Sequence, residues 1–322
     1  MQRKTLLFVG AGFSKGLCDQ MPLLEDLSKE IAHSEEYLRW GRSYNDNLES
    51  LLSFLSAQLP WESSERKYEK HKSLSLLIEK IKRAILKGSS HYQDSLNDVD
   101  SGNEYVDLLR KKWHDERGLV ISLNYDTLVE SLYLKFVSSN IDLEQIYKIN
   151  IAPITTAMPP VANDPPTLLK LHGSINWYHL PFQKNSQLYY GCPRLRDEKF
   201  RSERFKNLDS YETMIVPPTF MKQNLINHEQ ILKVWRDIKS YLDTYSKLAI
   251  VGYSFQDSDL MLRQLFSSLI FPYFENLKSK NSISIYFINP DDDARERFDR
   301  FCKQFKILSK SYKKIEETDL LE

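Results

Sequence analysis

The sequence predicts an α/β protein built on a doubly wound parallel sheet. Three observations lead there. Short apolar runs recur along the 322 residues, each the length of one buried strand. Segments with helical apolar spacing alternate with them, as expected where helices cross between parallel strands. The apolar runs also end abruptly in glycine or in a short polar turn.

Thr5–Val9 (TLLFV) reads as the first strand, and Leu23–Ala32 as the helix after it. Residues 40–112 differ in character. SYNDNLESLLSFLSAQL and SLSLLIEKIKRAILKG have helical apolar spacing, and Pro60 with the charged run Glu65–Lys72 reads as the turn between them. This stretch is expected to be an all-helical insertion, with 1–39 and 113–322 forming the α/β domain. Gly118–Leu123 is the next strand; it runs into Asn124-Tyr125-Asp126 and the helix Thr127–Phe136. Thr167–Leu171 is a strand ending at His172-Gly173-Ser174, with Trp177 and Tyr178 expected in the core. Residues 180–214 show no period and read as loop or lid. Leu225–Leu242 reads as helix. Lys247–Val251 is a strand ending at Gly252-Tyr253-Ser254, followed by the helix Asp257–Leu269. Ile283–Ile288 is a strand ending at Asn289-Pro290, and Asp292–Phe305 is helical.

Composition bounds the function. Hydrophobic residues at 41% and aromatics at 12% suffice for a sizeable core and exclude a disordered chain. Lys+Arg and Asp+Glu are both 44, so no basic excess points to nucleic acid. Cys18, Cys192 and Cys302 lie far apart with no C-x-x-C, which argues against a disulfide framework and against a cysteine zinc site. No apolar run approaches the roughly 20 residues that cross a bilayer, and Leu6–Val9 is too short for a signal-peptide core. A soluble, cytoplasmic protein is expected.

In an open α/β sheet the ligand sits at the carboxyl ends of the strands. The turns at GAGFS, NYD, HGS, GYS and NP should therefore converge on one crevice. The first turn admits several motif readings. A P-loop needs Gly-Lys-Ser/Thr, and Lys15 stands where its second glycine belongs. The dinucleotide fingerprint starts at Gly10 and Gly12, but Lys15 replaces its third glycine. Gly12-Phe13-Ser14-Lys15-Gly16 fits the nucleophile elbow, and Ser14, Asp126 and His172 even follow hydrolase order. An elbow serine follows several strands and an earlier oxyanion loop, whereas thirteen residues precede Ser14, so this reading is set aside. What remains is a glycine turn at a helix start, suited to a pyrophosphate. The plain alternatives are a tight turn without ligand, an Asp126 that caps a helix, and a His172 that is a satisfied core residue.

Taken together, GAGFS, NYD, HGS, GYS and IN at successive strand ends resemble the SIR2 (sirtuin) superfamily, and more narrowly the bacterial SIR2-like domains of anti-phage defence systems. The likeness spans residues 5 to about 290, outside the helical stretch. It implies a Rossmann-like fold that binds NAD, with a smaller inserted domain. It implies that Gly10, Ala11, Gly12 and Ser14 cradle the NAD phosphates, and that Asn124 and Asp126 line the nicotinamide and ribose pocket. His172 matches the catalytic histidine. Gly252 and Ser254 match a phosphate- and ribose-contacting turn, and Asn289 a residue near the adenosine ribose. The departures matter as well. The zinc ribbon of deacylating sirtuins has two C-x-x-C pairs, where this chain has Cys192, so no metal is expected. Their acyl-peptide site corresponds to Ile215-Val216-Pro217-Pro218-Thr219-Phe220, and two prolines without N–H oppose strand addition.

The resemblance thus implies an NAD glycohydrolase that yields nicotinamide and ADP-ribose and depletes NAD in an abortive-infection defence. It implies control by assembly, as a homo-oligomer or with a separate partner such as a HerA-like ATPase or a short Argonaute. The alternatives are an NAD or ADP-ribose sensor without turnover and, less favoured, a protein deacylase.

Overall fold

The computed structural model describes residues 4–41, 47–95, 102–136, 143–153, 166–180, 187–191, 211–220, 228–242, 245–278 and 284–322. Its centre is a six-stranded, wholly parallel sheet made of β1 (Lys4–Val9), β2 (Leu119–Ser122), β4 (Thr167–Lys170), β8 (Tyr245–Val251), β9 (Ser284–Ile288) and β10 (Lys310–Tyr312). The spatial order is β10-β9-β8-β1-β2-β4. Counting these six strands along the chain, that is the 3-2-1-4-5-6 order of a Rossmann-type sheet, and the order reverses between β1 and β8.

Strand composition follows from position. Leu6, Leu7, Phe8 and Val9 are fully buried because parallel strands are covered on both faces. The register then decides where the turns fall. Val9 pairs with Ser122 on one side and with Val251 on the other. Ser122 pairs with Lys170, and Val251 with Ile288. With Tyr312 opposite Ile288, all six strands end flush, and the residues that follow β1, β2, β4, β8 and β9 form a row along one edge of the sheet.

Helices carry the crossovers. α1 (Ala11–Leu17) and α2 (Leu24–Ile31) follow β1, then α3 (Glu35–Trp40), α4 (Leu48–Ser56) and α5 (Ser64–Ser95). α6 (Glu104–Leu108) continues through a π-helical turn, Leu109–Asp115, into β2. The run Glu65–Lys72, expected as a turn, lies inside α5. Ser63 starts that helix by accepting the Arg66 amide at 3.2 Å, and the buried Lys70 holds Glu62 at 2.9 Å. Lys70 is the buried charge of the run and is used at the helix start, whereas Glu65, Arg66 and Lys72 face solvent. α7 (Leu128–Phe136) and α8 (Leu143–Tyr147) follow β2, and α9 (Glu229–Tyr241) precedes β8. Residues 221–227, the start of the expected helix over 225–242, lie outside the described residues. α10 (Leu260–Leu265) passes through the π turn Phe266–Ile270 into α11 (Phe271–Lys278), and α12 (Asp292–Gln304) follows β9.

A second sheet was not foreseen. β3 (Ile151–Pro153), β6 (Leu188–Tyr190), β5 (Gly173–His179) and β7 (Glu212–Ile215) form it in the order β3-β6-β5-β7. Parts of 180–214, read from the sequence as loop or lid, are therefore strands; residues 181–186 and 192–210, Cys192 among them, lie outside the described residues. Within that stretch β6 (LYY) and β7 (ETMI) are three and four residues long, too short for a visible period of two. Trp177 is fully buried here and Tyr178 half-buried. Its edge strand β7 meets α5, where Thr213 donates to Glu79 at 2.9 Å and Ser75 to Glu212 at 3.2 Å. Among the described residues no helix is long and apolar enough to cross a membrane.

Candidate functional site

The row of strand ends is stitched together by hydrogen bonds between distant parts of the chain. The Gly10 amide donates to the Val251 carbonyl at 3.0 Å and the Gly12 amide to the Gly252 carbonyl at 2.7 Å. The Gly252 amide in turn donates to the Ile288 carbonyl at 2.9 Å. These contacts explain the glycines more directly than an anion does. Gly252 has φ of +66°, and a Cβ on it would sit 2.0 Å from the Phe13 nitrogen. A Cβ on Gly12 would meet Gly252 Cα at 2.8 Å. The glycines let two turns touch across the point where strand order reverses. Their amides are already used, so the expected phosphate cradle is narrower than the sequence suggested. Ala11, at the start of α1, is exposed.

The sequence had Ser14 facing a phosphate. It is 2% exposed, and its hydroxyl donates to Asp126 Oδ2 at 2.7 Å. Asn124 Nδ2 donates to Ser14 Oγ at 2.8 Å and to the Gly10 carbonyl at 2.9 Å. An amide nitrogen has two hydrogens, so Oδ1 is the atom of Asn124 left to meet a ligand. Asp126 Oδ1 accepts the Leu128 amide at 3.0 Å, so the carboxylate also caps α7. The helix-cap reading thus holds alongside the juxtaposition with Ser14. The Ser14 proton points at a carboxylate, not at an imidazole, which is not how an elbow serine is activated.

His172 follows β4 and is buried. Its Nδ1 lies 3.1 Å from the Leu123 carbonyl. A carbonyl only accepts, so Nδ1 carries a proton, and in the neutral tautomer the lone pair is on Nε2. The Trp235 and Tyr125 rings flank the imidazole, each with its centroid 6.3 Å away. Trp235, on α9, was not singled out in the sequence; helical spacing makes it one more apolar position.

Val216 bridges the turns from the second sheet. Its amide donates to the His172 carbonyl at 2.8 Å, and its carbonyl accepts the Tyr125 hydroxyl at 2.7 Å. Burial drives the Tyr125 phenol far above its ordinary pKa, so it stays a neutral donor. Sequence reasoning missed Lys170 too. Buried at the end of β4, it ion-pairs with buried Glu130 at 3.0 Å. A lysine inside the apolar run TLLKL and a glutamate inside LVESLYL were the available signals.

At the other end of the row, Asn289 Nδ2 donates to the Tyr253 carbonyl at 2.9 Å and its Oδ1 accepts the Asp291 amide at 3.0 Å. The Ser254 carbonyl accepts Arg297 Nη2 at 3.0 Å. The Tyr253 hydroxyl donates to Asp259 at 3.1 Å, and burial followed by that carboxylate raises its pKa well above the usual value. Among the described residues no group of three or more His, Cys, Asp or Glu is placed to hold a metal ion.

The candidate site residues named from the sequence therefore lie along one edge of the sheet. Solved structures with a similar chain course include a Sir2 with a deacetylated p53 peptide and 3′-O-acetyl ADP ribose, at TM-score 0.41 and 12% identity, covering 99% of this chain and 89% of that one. A Sir2 homologue mutant in complex with ADP ribose matches at TM-score 0.43 and 12% identity over 95% and 93%. Sir2 bound to acetylated peptide matches at 0.34 and 12% over 95% and 94%. No curated protein sequence matches the chain. The family model of the SIR2-like domain matches residues 118–307, which is more than half of the chain. With that span, the protein belongs to the SIR2-like family.

Proposed function

We propose that the protein is an NAD glycohydrolase that releases nicotinamide and ADP-ribose. One observation carries this reading: Asn124, Asp126 and His172 are buried at the ends of the neighbouring strands β2 and β4, beside the β1–β8 junction where the sheet order reverses, and Ser14 of the first turn is bonded to two of them. Such a crevice suits a dinucleotide. The pyrophosphate lies over Ala11 and the β1–β8 junction, with Gly10, Gly12 and Gly252 setting its floor. The nicotinamide riboside faces Asn124, Asp126 and His172. The adenosine faces Ser254 and Asn289.

The chemistry asks little of a general acid. Nicotinamide leaves as a neutral molecule, taking the electron pair of the C–N bond, and the ribose gains oxocarbenium character. The Asp126 carboxylate supplies the opposite charge. Asn124 Oδ1 orients a ribose hydroxyl or the water. His172 Nε2 accepts the proton that the attacking water gives up.

Water is the favoured acceptor because the peptide position is taken. Both backbone groups of Val216 are bonded to the site's own turns, and Pro217 and Pro218 have no N–H to offer. We assign the enzyme to anti-phage defence by NAD depletion, on the family resemblance. An effector of that kind is held silent until it assembles, and the stretch 40–112 is the insertion we assign to that contact, whether with further copies or a separate partner. Trp61 (79% exposed) and Tyr68 (64%) there support it.

The test is incubation of the purified chain with NAD, with and without candidate partners, and separation of the products by chromatography. Nicotinamide with ADP-ribose is expected. Binding of NAD without release under every condition would leave a sensor, and release that depends on an acetylated peptide would make it a deacylase.

A further inference from the structure

Beneath the candidate site lies a charged pair that the chemistry above does not use. Lys170 is the last residue of β4, and His172 follows two residues later. Glu130 lies in the first turn of α7, close behind Asp126. Neither side chain of the pair is exposed at all. Lys170 Nζ donates to Glu130 Oε1 at 3.0 Å, and the Tyr147 hydroxyl donates to the same oxygen at 2.9 Å. The same ammonium also donates to the backbone carbonyl of Asp126. Glu130 Oε2 has no hydrogen-bond partner among the described residues.

As a stabilising device this pair is poor. Two charges taken out of water lose several kcal/mol each, and an apolar pair of like volume is often neutral or better. A bare carboxylate oxygen adds to the cost. An apolar pair, however, has no donor for the Asp126 carbonyl. An ammonium has three, and here one is fixed on Glu130 while another reaches Asp126. The lysine thereby ties the strand that carries His172 to the turn that carries Asn124 and Asp126. Tyr147 braces the glutamate from α8, and its own ring packs on Trp177 at 5.0 Å.

We propose that Lys170, held by Glu130 and Tyr147, is a positioning residue that sets the Asn124-Tyr125-Asp126 turn against His172. Its consequence for turnover rests on the NAD-hydrolysis reading; its consequence for the turn does not. Misplacement of such a turn by about an ångström can cost about a hundredfold in rate.

The experiment uses the full chain carrying Lys170→Met with Glu130→Gln. The double change removes both charges together, so no lone buried charge is left, and Gln keeps an acceptor for Tyr147. Amide hydrogen exchange is followed without NAD over 124–128, with 245–252 as the internal control. Nicotinamide release is followed in parallel. The expected result is exchange about tenfold faster over 124–128 with the control unchanged, kcat lower by about ten- to a hundredfold, and KM within about threefold. If the double variant does not fold, Tyr147→Phe, which leaves the ion pair intact and removes the brace on Glu130, gives smaller changes in the same direction. Wild-type exchange over 124–128 in a folded variant overturns the proposal. So does faster exchange combined with wild-type kcat. Faster exchange over 124–128 in a protein whose wild type never releases nicotinamide upholds the positioning and fails the hydrolysis reading instead.

Discussion

The two halves of the sheet edge are built differently. On the β2–β4 side, the turns are joined through side chains: Ser14 to Asp126, Asn124 to Ser14, Lys170 to Glu130 and to the Asp126 carbonyl. On the β8–β9 side, the polar side chains mostly clasp backbone: Asn289 the Tyr253 carbonyl, Arg297 the Ser254 carbonyl. What fixes that half is aromatic packing. Phe287 stacks on Phe298 with centroids 4.3 Å apart, and Phe255 meets Phe298 at 5.1 Å and Phe301 at 5.0 Å. That packing holds Phe255 at φ of 50°, a conformation an aromatic residue rarely adopts. The difference matches the proposed labour. Bond cleavage needs charges held at set angles, whereas gripping an adenosine needs a shaped wall.

The largest effect should come where the halves meet. Gly252→Val places a branched side chain 2.0 Å from the Phe13 nitrogen at a left-handed φ. Loss of soluble, cooperatively melting protein is expected. A variant that melts like wild type would mean that the two turns do not need their close contact.

Phe298→Ala should separate the halves next. A buried Phe-to-Ala change costs about 3–5 kcal/mol of stability. Denaturant unfolding should register that loss, while the folded fraction keeps wild-type kcat for nicotinamide release. A fall in kcat as large as that of a nicotinamide-side variant would erase the distinction.

His172→Ala should do the reverse, leaving the melting temperature close to wild type and lowering nicotinamide release by about a hundredfold or more, the usual scale for a general base. Wild-type turnover in this variant would remove His172 from the chemistry.

Ser14→Ala is milder, about 1–3 kcal/mol, because Asp126 loses a donor and Asn124 an acceptor. Calorimetric titration with a non-hydrolysable NAD analogue should show part of that loss as weaker binding. A fluorophosphonate probe should leave wild-type Ser14 unlabelled. Covalent labelling would instead return the first turn to the nucleophile reading.

The smallest effect concerns pH and the second sheet. Burial, helped by neighbouring His228, pulls His179 down to about 4. The folded protein keeps it neutral while the unfolded chain takes up a proton near pH 6.5. Stability should therefore be lost as pH falls from about 6.5 to about 4. Thermal melts across that window should show a shallower decline in His179→Gln. Identical slopes would remove the histidine from the acid sensitivity.

The sequence by itself determined the parallel sheet and the turns that end its strands. Those features are local: an apolar run broken by glycine or by a polar triplet is read within ten residues, so TLLFV-GAG, VISL-NYD and AIV-GYS announced themselves. The Asn124, Asp126 and His172 turns were found on the same grounds. The tertiary structure decided the rest, because the rest depends on partners far apart in the chain. β6 and β7 are too short to show alternation and exist by pairing with β5. The Glu65–Lys72 run joined a helix because Lys70 found Glu62 and a buried seat. The glycines that read as a phosphate cradle are glycines first because Gly252 lies 240 positions after Gly12 in sequence and within touching distance in space. Lys170, one polar letter in an apolar strand, acquired its meaning once the sheet brought it to Glu130 and the Asp126 carbonyl. A lone charge in a sequence does not say whether it faces water or a partner, and that choice is made by packing.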